Sequence, residues 1–226
     1  IEIQFNADES PQLFLEYWRT RAEQVLKRFG LETETLFGRL IGPRWVAVGF
    51  SAPVDQLYGA TEMNEWAVAA ATADVEGTTA PDLETVRAQI LETLAEENNP
   101  ALCALQAAAT SHDVPFLWDD DEVSVGYGGT ATVWPTDDLP HVEDVDWDTP
   151  TGVPTALITG TNGKTTTSRM LTRILVRSGR SVGSTSSDGV CVNEAVVEAG
   201  DWTGPGAARM VLRRPDINAA VLETAR

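Results

Sequence analysis

Lysine is nearly missing from this chain: it occurs only at Lys27 and Lys164, and the other 14 basic side chains are arginines. Acidic residues outnumber basic ones 34 to 16, for a net charge of -18. No segment carries a basic stripe. That excludes grip on a nucleic-acid backbone, which needs clustered positive charge. Long apolar runs are also missing, and nothing approaches the ~18 residues of a membrane span. Cysteine and histidine are scarce. Cys103, Cys191, His112 and His141 stand in no zinc-ligand spacing. The two thiols read as reduced cysteines of a cytoplasmic protein, not as a disulfide framework. The first residue is Ile1, and no signal peptide is legible.

What is present is unevenly distributed. Residues 1–150 hold 7 basic and 28 acidic side chains, whereas residues 151–226 hold 9 and 6. Such a step in charge predicts a domain boundary near residue 150. Residues 135–153 read as an acidic, proline-rich linker, with Pro135, Pro140 and Pro150 and six acidic residues from Asp137 to Asp148. Residues 1–134 are predicted to form an α+β domain. Ile1–Phe5 alternates as a strand does, and Ser10-Pro11 starts a helix that Gly30 ends. Trp45–Phe50 reads as a strand, and helices are predicted over about 53–73 and 82–98, with a shorter one from Pro100. Strands flank a glycine turn between Val123 and Trp134. I, L and V clusters recur after Thr155 in a different order: strand, glycine loop, helix over 164–177, strand, helix over 205–214, strand. That order predicts a parallel sheet with crossover helices, so the whole chain is classed as α/β.

The segment Ile158-Thr159-Gly160-Thr161-Asn162-Gly163-Lys164-Thr165-Thr166 carries the most chemistry. It lies between a predicted strand and a predicted helix, where a phosphate loop must lie. Gly160 and Gly163 let backbone N–H groups turn inward around a phosphate. The helix that follows aims its free N–H groups at the same anion. Lys164 can reach the terminal phosphates, and the Thr165 hydroxyl can bind Mg²⁺. The general pattern has a glycine five residues before Gly163, where Ile158 stands. The loop is therefore a shortened form.

Gly160-Thr161-Asn162-Gly163-Lys164-Thr165-Thr166 resembles the phosphate loop of the Mur ligase superfamily. Downstream, Thr185-Ser186-Ser187-Asp188-Gly189, Gly200-Asp201-Trp202-Thr203-Gly204-Pro205 and Val221-Leu222-Glu223-Thr224-Ala225-Arg226 resemble successive motifs in the Mur-ligase half of the cyanophycin synthetase family. The resemblance covers residues 154–226. It implies an ATP-dependent enzyme that phosphorylates a small-molecule carboxylate and passes the acyl group to an amine. It implies ATP on Gly160, Thr161, Asn162, Gly163, Lys164, Thr165 and Thr166, with Lys164 as the catalytic cation. Thr165, Glu223 and Ser186 would hold Mg²⁺. Asp188 reads as a turn residue, and Arg226 would follow the metal carboxylate. Relatives continue well beyond this point, so the chain is expected to be a fragment with an incomplete ATP-binding domain and no ligase turnover of its own. The alternative reading is a nucleotide-binding or hydrolysing module without ligase activity.

Residues 1–134 hold no motif of equal weight. Ala108–Pro115 with Val125–Gly128 resembles a stretch that precedes the ATP-grasp domain in cyanophycin synthetases, which implies a smaller relative with one ligase centre. Trp18, Trp45, Trp66, Trp118 and Trp134 are expected mostly in the core. His112, and Glu62 with Glu65, are weaker candidates for acid–base work, since a capping residue and a solvated helix face explain them as well. The substrates and the oligomeric state are not legible.

Overall fold

Ser10 caps the first helix by accepting a hydrogen bond from the Leu13 N–H (3.3 Å), and Pro11 supplies the fixed φ of a first helical position. The computed structural model describes residues 1–6 and 10–224. They fall into two units, Ile1–Cys103 and Ala104–Arg226, with the division inside the helix Pro100–Ser111.

The first unit has the order β1 (Glu2–Gln4), α1 (Pro11–Arg28), β2 (Leu36–Gly42), β3 (Trp45–Phe50), α2 (Leu57–Glu76), α3 (Leu83–Glu97) and the start of α4 (Pro100–Ser111). The strands form an antiparallel sheet ordered β1-β3-β2. Its core joins Phe14, Trp18 and Val25 of α1 to Val46 and Val48 of β3, Met63 and Trp66 of α2, and Ile90 of α3. Trp18 is fully buried, and its indole N–H donates to Asn64 Oδ1 at 2.9 Å. The Asn64 amide in turn donates to the Val48 carbonyl, so one polar chain ties α1, α2 and β3. Arg21 and Asp74 join α1 to α2 through two hydrogen bonds of 2.7 Å. Strand β2 was not anticipated. Gly38 interrupts its alternation, because a side chain there would stand 3.0 Å from the Trp18 ring.

The second unit continues with β4 (Phe116–Trp118), β5 (Glu122–Val125) and β6 (Thr132–Pro135), an antiparallel sheet. Next come β7 (Thr155–Ile158), α5 (Lys164–Arg177), β8 (Val182–Ser186), β9 (Gly189–Val192), β10 (Ala195–Ala199), α6 (Pro205–Leu212) and β11 (Ala219–Glu223). The five strands are ordered β10-β9-β8-β11-β7. Strand β11 is parallel to both β7 and β8, while β8, β9 and β10 form an antiparallel meander. The architecture is thus mixed α/β. The parallel part is as the element order predicts, and the β9–β10 hairpin is an addition.

The charge step near residue 150 does not mark the division. Val145 is buried within the second unit against Leu105, Ala109 and Val125, with Leu139, Val142 and Trp147 packed around it. The acids of 137–148 sit between these apolar residues, so the stretch that composition marks as a linker is a packed strap. Acids in a strap can point to water while every second or third residue is buried, and a net charge does not register that spacing.

Asp119 anchors α6 to the β4–β6 sheet. It accepts from Arg213 (2.7 Å), Arg209 (3.1 Å) and the Glu122 N–H (2.9 Å). Burial pushes its carboxyl upward, but the Glu122 N–H and the Arg213 guanidinium outweigh burial and hold it below the usual range. The unfolded carboxyl, with a pKa of about 3.9, therefore takes its proton first as pH falls. The stabilisation is complete above that value and is lost as pH drops through the lower folded value. Asp119→Asn should flatten this part of the acid limb in urea unfolding measured between about pH 5 and pH 2.

Candidate phosphate-loop site

The end of β7 at Ile158 leads through residues 159–163 directly into α5 at Lys164. Gly160 has φ +145° and Gly163 has φ +77°, conformations that L side chains rarely adopt, which is why these two positions are glycine. Gly163 occupies the N-cap of α5, and no side chain caps the helix there. The first N–H groups of the helix are thereby left available to a ligand at the loop. Lys164 folds back over the loop, its ammonium donating to the Gly160 carbonyl at 3.1 Å. Thr161 and Asn162 form the exposed outer part of the turn, and Thr166 is exposed in the first turn of α5.

Thr165 faces the sheet. Its hydroxyl lies 3.2 Å from Glu223 Oε1 at the end of β11 and 3.2 Å from the Ser187 hydroxyl after β8. Glu223 is only 4% exposed, and its second oxygen, Oε2, is buried with no hydrogen-bond partner. The backbone around it is tied on both sides. The Glu223 N–H donates to Thr185 Oγ1, and the Thr224 N–H to the Ile158 carbonyl. A buried carboxylate oxygen without a partner is costly unless something cationic or protic meets it.

Ser186 lies next to this cluster but turns its hydroxyl to the Asp188 N–H at 3.2 Å, closing the β8–β9 turn. Ser187 is the hydroxyl that reaches Thr165, and the sequence reading passed it over. The only signal was its place in the Thr185-Ser186-Ser187 run. Asp188 is in a turn, as expected, and pairs with Arg169. The Trp202 N–H donates to the Ser186 carbonyl at 3.1 Å, so the Gly200–Pro205 motif adjoins the Thr185–Gly189 motif. Thr203 bonds only Asp201 among the described groups, at 3.0 Å. Ala225 and Arg226 lie outside the described residues.

Among the described residues no group of three or more His, Cys, Asp or Glu side chains is arranged to hold a metal. One carboxylate with adjacent hydroxyls fits a different case. Mg²⁺ takes oxygen donors and keeps most of its shell as water and phosphate, so one or two protein ligands suffice. The unpartnered Glu223 Oε2 beside Thr165 is such a donor set.

The other candidates do not assemble a site. His112 stacks on Trp147, ring centroids 5.2 Å apart. Glu62 accepts from Gln89 and Thr93 of α3, so it serves a helix contact and does not pair with Glu65. Trp18 and Trp66 are core residues, Trp118 and Trp134 are half-buried, and Trp45 is exposed.

The loop between β7 and α5 is thus shaped by glycine, with Lys164 at the helix start and the buried Glu223 carboxylate on the adjoining β11. Over about a third of its length the chain is similar to the cyanophycin synthetases. It is 53% identical over 78 residues to that of Synechocystis sp., a stretch that is 34% of this chain and 9% of the relative. It is 52% identical over 79 residues to that of Crocosphaera subtropica (35% and 9%) and 49% identical over 74 residues to that of Nostoc sp. (33% and 8%). The match thus spans less than a tenth of these curated relatives. No family model matches the chain. No helix among the described residues is long and apolar enough to cross a membrane.

Proposed function

We propose that residues 158–166 bind the phosphates of ATP, and that the enzyme to which this chain belongs uses them to join a small-molecule carboxylate to an amine through an acyl phosphate. The observation that carries this reading is the buried, half-unpartnered Glu223 set 3.2 Å from the Thr165 hydroxyl at the start of the loop helix. The local similarity to cyanophycin synthetases supports the ligase class.

In this reading Gly160, Thr161, Asn162, Gly163 and Thr166 shape the cradle, and their main-chain N–H groups meet the phosphate oxygens. Lys164 exchanges the Gly160 carbonyl for the terminal phosphate. Glu223, Thr165 and a hydroxyl of the Ser186-Ser187 pair hold Mg²⁺, which when bound neutralises charge on the phosphates. Glu223 and Thr165 stay fixed because β11 and α5 hold their backbones. A preorganised set of donors of this kind supplies most of the help that phosphoryl transfer needs.

The test has two parts. Isothermal titration of ATP into the chain should show tighter binding with Mg²⁺ than with EDTA. Glu223→Gln should erase that difference, a loss of about 10- to 100-fold in metal-dependent affinity. Wild-type binding indifferent to Mg²⁺ would reject the metal role. In the complete gene product, phosphate release that needs both a carboxylate and an amine supports ligation, whereas release without an amine assigns the loop to a hydrolase.

A further inference from the structure

The sheet of the first unit has one covered face and one open face. Val46 and Val48 of β3 are buried toward the helices, and Gly38 of β2 stands against Trp18. Their strand neighbours Trp45, Ala47 and Gly49 therefore share the opposite face, with Phe37 and Arg39 of β2 and Glu2 and Gln4 of β1. The outer face of an antiparallel sheet is ordinarily polar. This one presents Phe37 at 59% exposure and Trp45 at 39%. Residues 35–54 hold none of the chain's 34 acidic residues.

The face is also hollow. Glu2, Phe37, Arg39, Ala47 and Gly49 line a groove of about 660 Å³. Gly49 has no left-handed φ, and a side chain there would meet no atom within 4 Å. Nothing in the protein itself thus requires glycine at that position. A glycine within a strand weakens it and often marks the close approach of another backbone.

Register sets the charges on this face. Arg39 and Glu2 both pair with Ala47, so one row across the sheet reads Arg39, Ala47, Glu2. Neither charge belongs to an ion pair among the described residues. They stand on either side of β3, roughly 10 Å apart at the backbone. A half-turn about an axis along β3 exchanges the two ends of the row. A second copy so turned sets its Arg39 over Glu2 and its Glu2 over Arg39. Ala47 then meets Ala47, and the hollow at Gly49 leaves room for the Phe37 rings. A half-turn about an axis across the strands would instead stack Arg39 on Arg39.

We propose that this sheet face is a self-complementary contact between two copies of the chain, related by a two-fold axis along β3. Packed sheets lie about 10 Å apart, a gap that an arginine and a glutamate reaching from opposite sides can close. Two chains of net charge -18 repel, and the acid-free stretch supplies the surface where that repulsion is least. The face measures about 15 by 20 Å, less than the ~800 Å² per partner of a standard interface, so the pairing is weak and micromolar. It needs no nucleotide at the phosphate loop.

Sedimentation equilibrium of the whole chain should show monomer–dimer exchange between about 5 and 500 µM at physiological salt. Arg39→Glu and Glu2→Arg should each weaken the dimer about tenfold or more, since each sets like charges opposite one another twice. The two changes together restore opposite signs and should return the dissociation constant to within about threefold of wild type. Gly49→Val fills the hollow and should abolish the dimer. Tm of the dilute chain should hold or rise in that variant, because valine suits a strand and clashes with nothing there. Gly49→Val carries the test if a charge variant does not fold. A chain that stays monomeric throughout overturns the proposal and leaves the face to a partner of another kind. A dimer that ignores the single exchanges or Gly49→Val, or that the double exchange does not rescue, overturns it as well, because the contact then lies elsewhere.

Discussion

Lys164→Ala is expected to leave the fold of the second unit intact and to slow ATP-dependent turnover of the complete gene product a hundredfold or more. The ammonium makes one hydrogen bond in the ligand-free protein, to the Gly160 carbonyl, and that carbonyl borders the loop, where water can replace the lost donor. Tm should therefore move little. The loss in the reaction is larger, because a cation set against developing phosphoryl charge contributes about 3 kcal/mol or more to the transition state. Arginine at this position is not a conservative replacement. A planar guanidinium spreads its charge over a rigid fork of donors, whereas the lysine ammonium is a compact point charge on a flexible stem. Lys164 is also one of just two lysines among 16 basic residues, so arginine has not displaced it here. A single-turnover rate within threefold of wild type would remove Lys164 from the phosphate site.

Trp18→Ala should be the most damaging single change in the first unit. The ring is fully buried among Phe14, Val48 and Met63, and it lies against Gly38 with no spare room. Truncating a buried tryptophan costs about 3–5 kcal/mol. Here it also strands Asn64 Oδ1, which accepts from the indole N–H. Trp18→Phe separates the two effects. It keeps a six-membered ring in the core and loses the donor with the rest of the indole, for about 1–3 kcal/mol. Urea unfolding monitored by far-UV circular dichroism should rank wild type above Trp18→Phe, and Trp18→Phe above Trp18→Ala. Equal midpoints for the two variants would mean that the hydrogen bond, not the packing, dominates.

Much of the second unit could be read from the residues, since its signals are local. Ile158, the glycines and Lys164 mark a strand, a turn and a helix start within ten positions, and α5 begins and ends where the pattern predicts. Likewise Ser10-Pro11 and Asp82 mark the starts of α1 and α3 through capping chemistry that needs no tertiary context. What escaped were elements set by partners distant in sequence. β2 contains Gly38 because of Trp18, and the three residues of β4 are too few to show a period. On α5, apolar spacing predicts one side formed by Met170, Leu171, Ile174 and Leu175; Leu171 and Leu175 do pack against the sheet, whereas Met170 and Ile174 are exposed and Ser168 and Thr172 take the most buried positions. At the site, the role of Ser187 depended on which way the β8–β9 turn opens, and three successive hydroxyl residues do not encode that.

Glu223 lies on a strand that is made after β7 and β8 yet sits between them. β7 and β8 do not pair with each other; β11 lies between them and pairs with both, and it follows β8 by more than thirty residues. During synthesis, a ribosome will have released the glycine loop long before Glu223 emerges to dock beside it. A nascent chain shorter than that carries the loop without Glu223 beside it, so on the proposed reading nucleotide capture would wait for β11 to enter between β7 and β8.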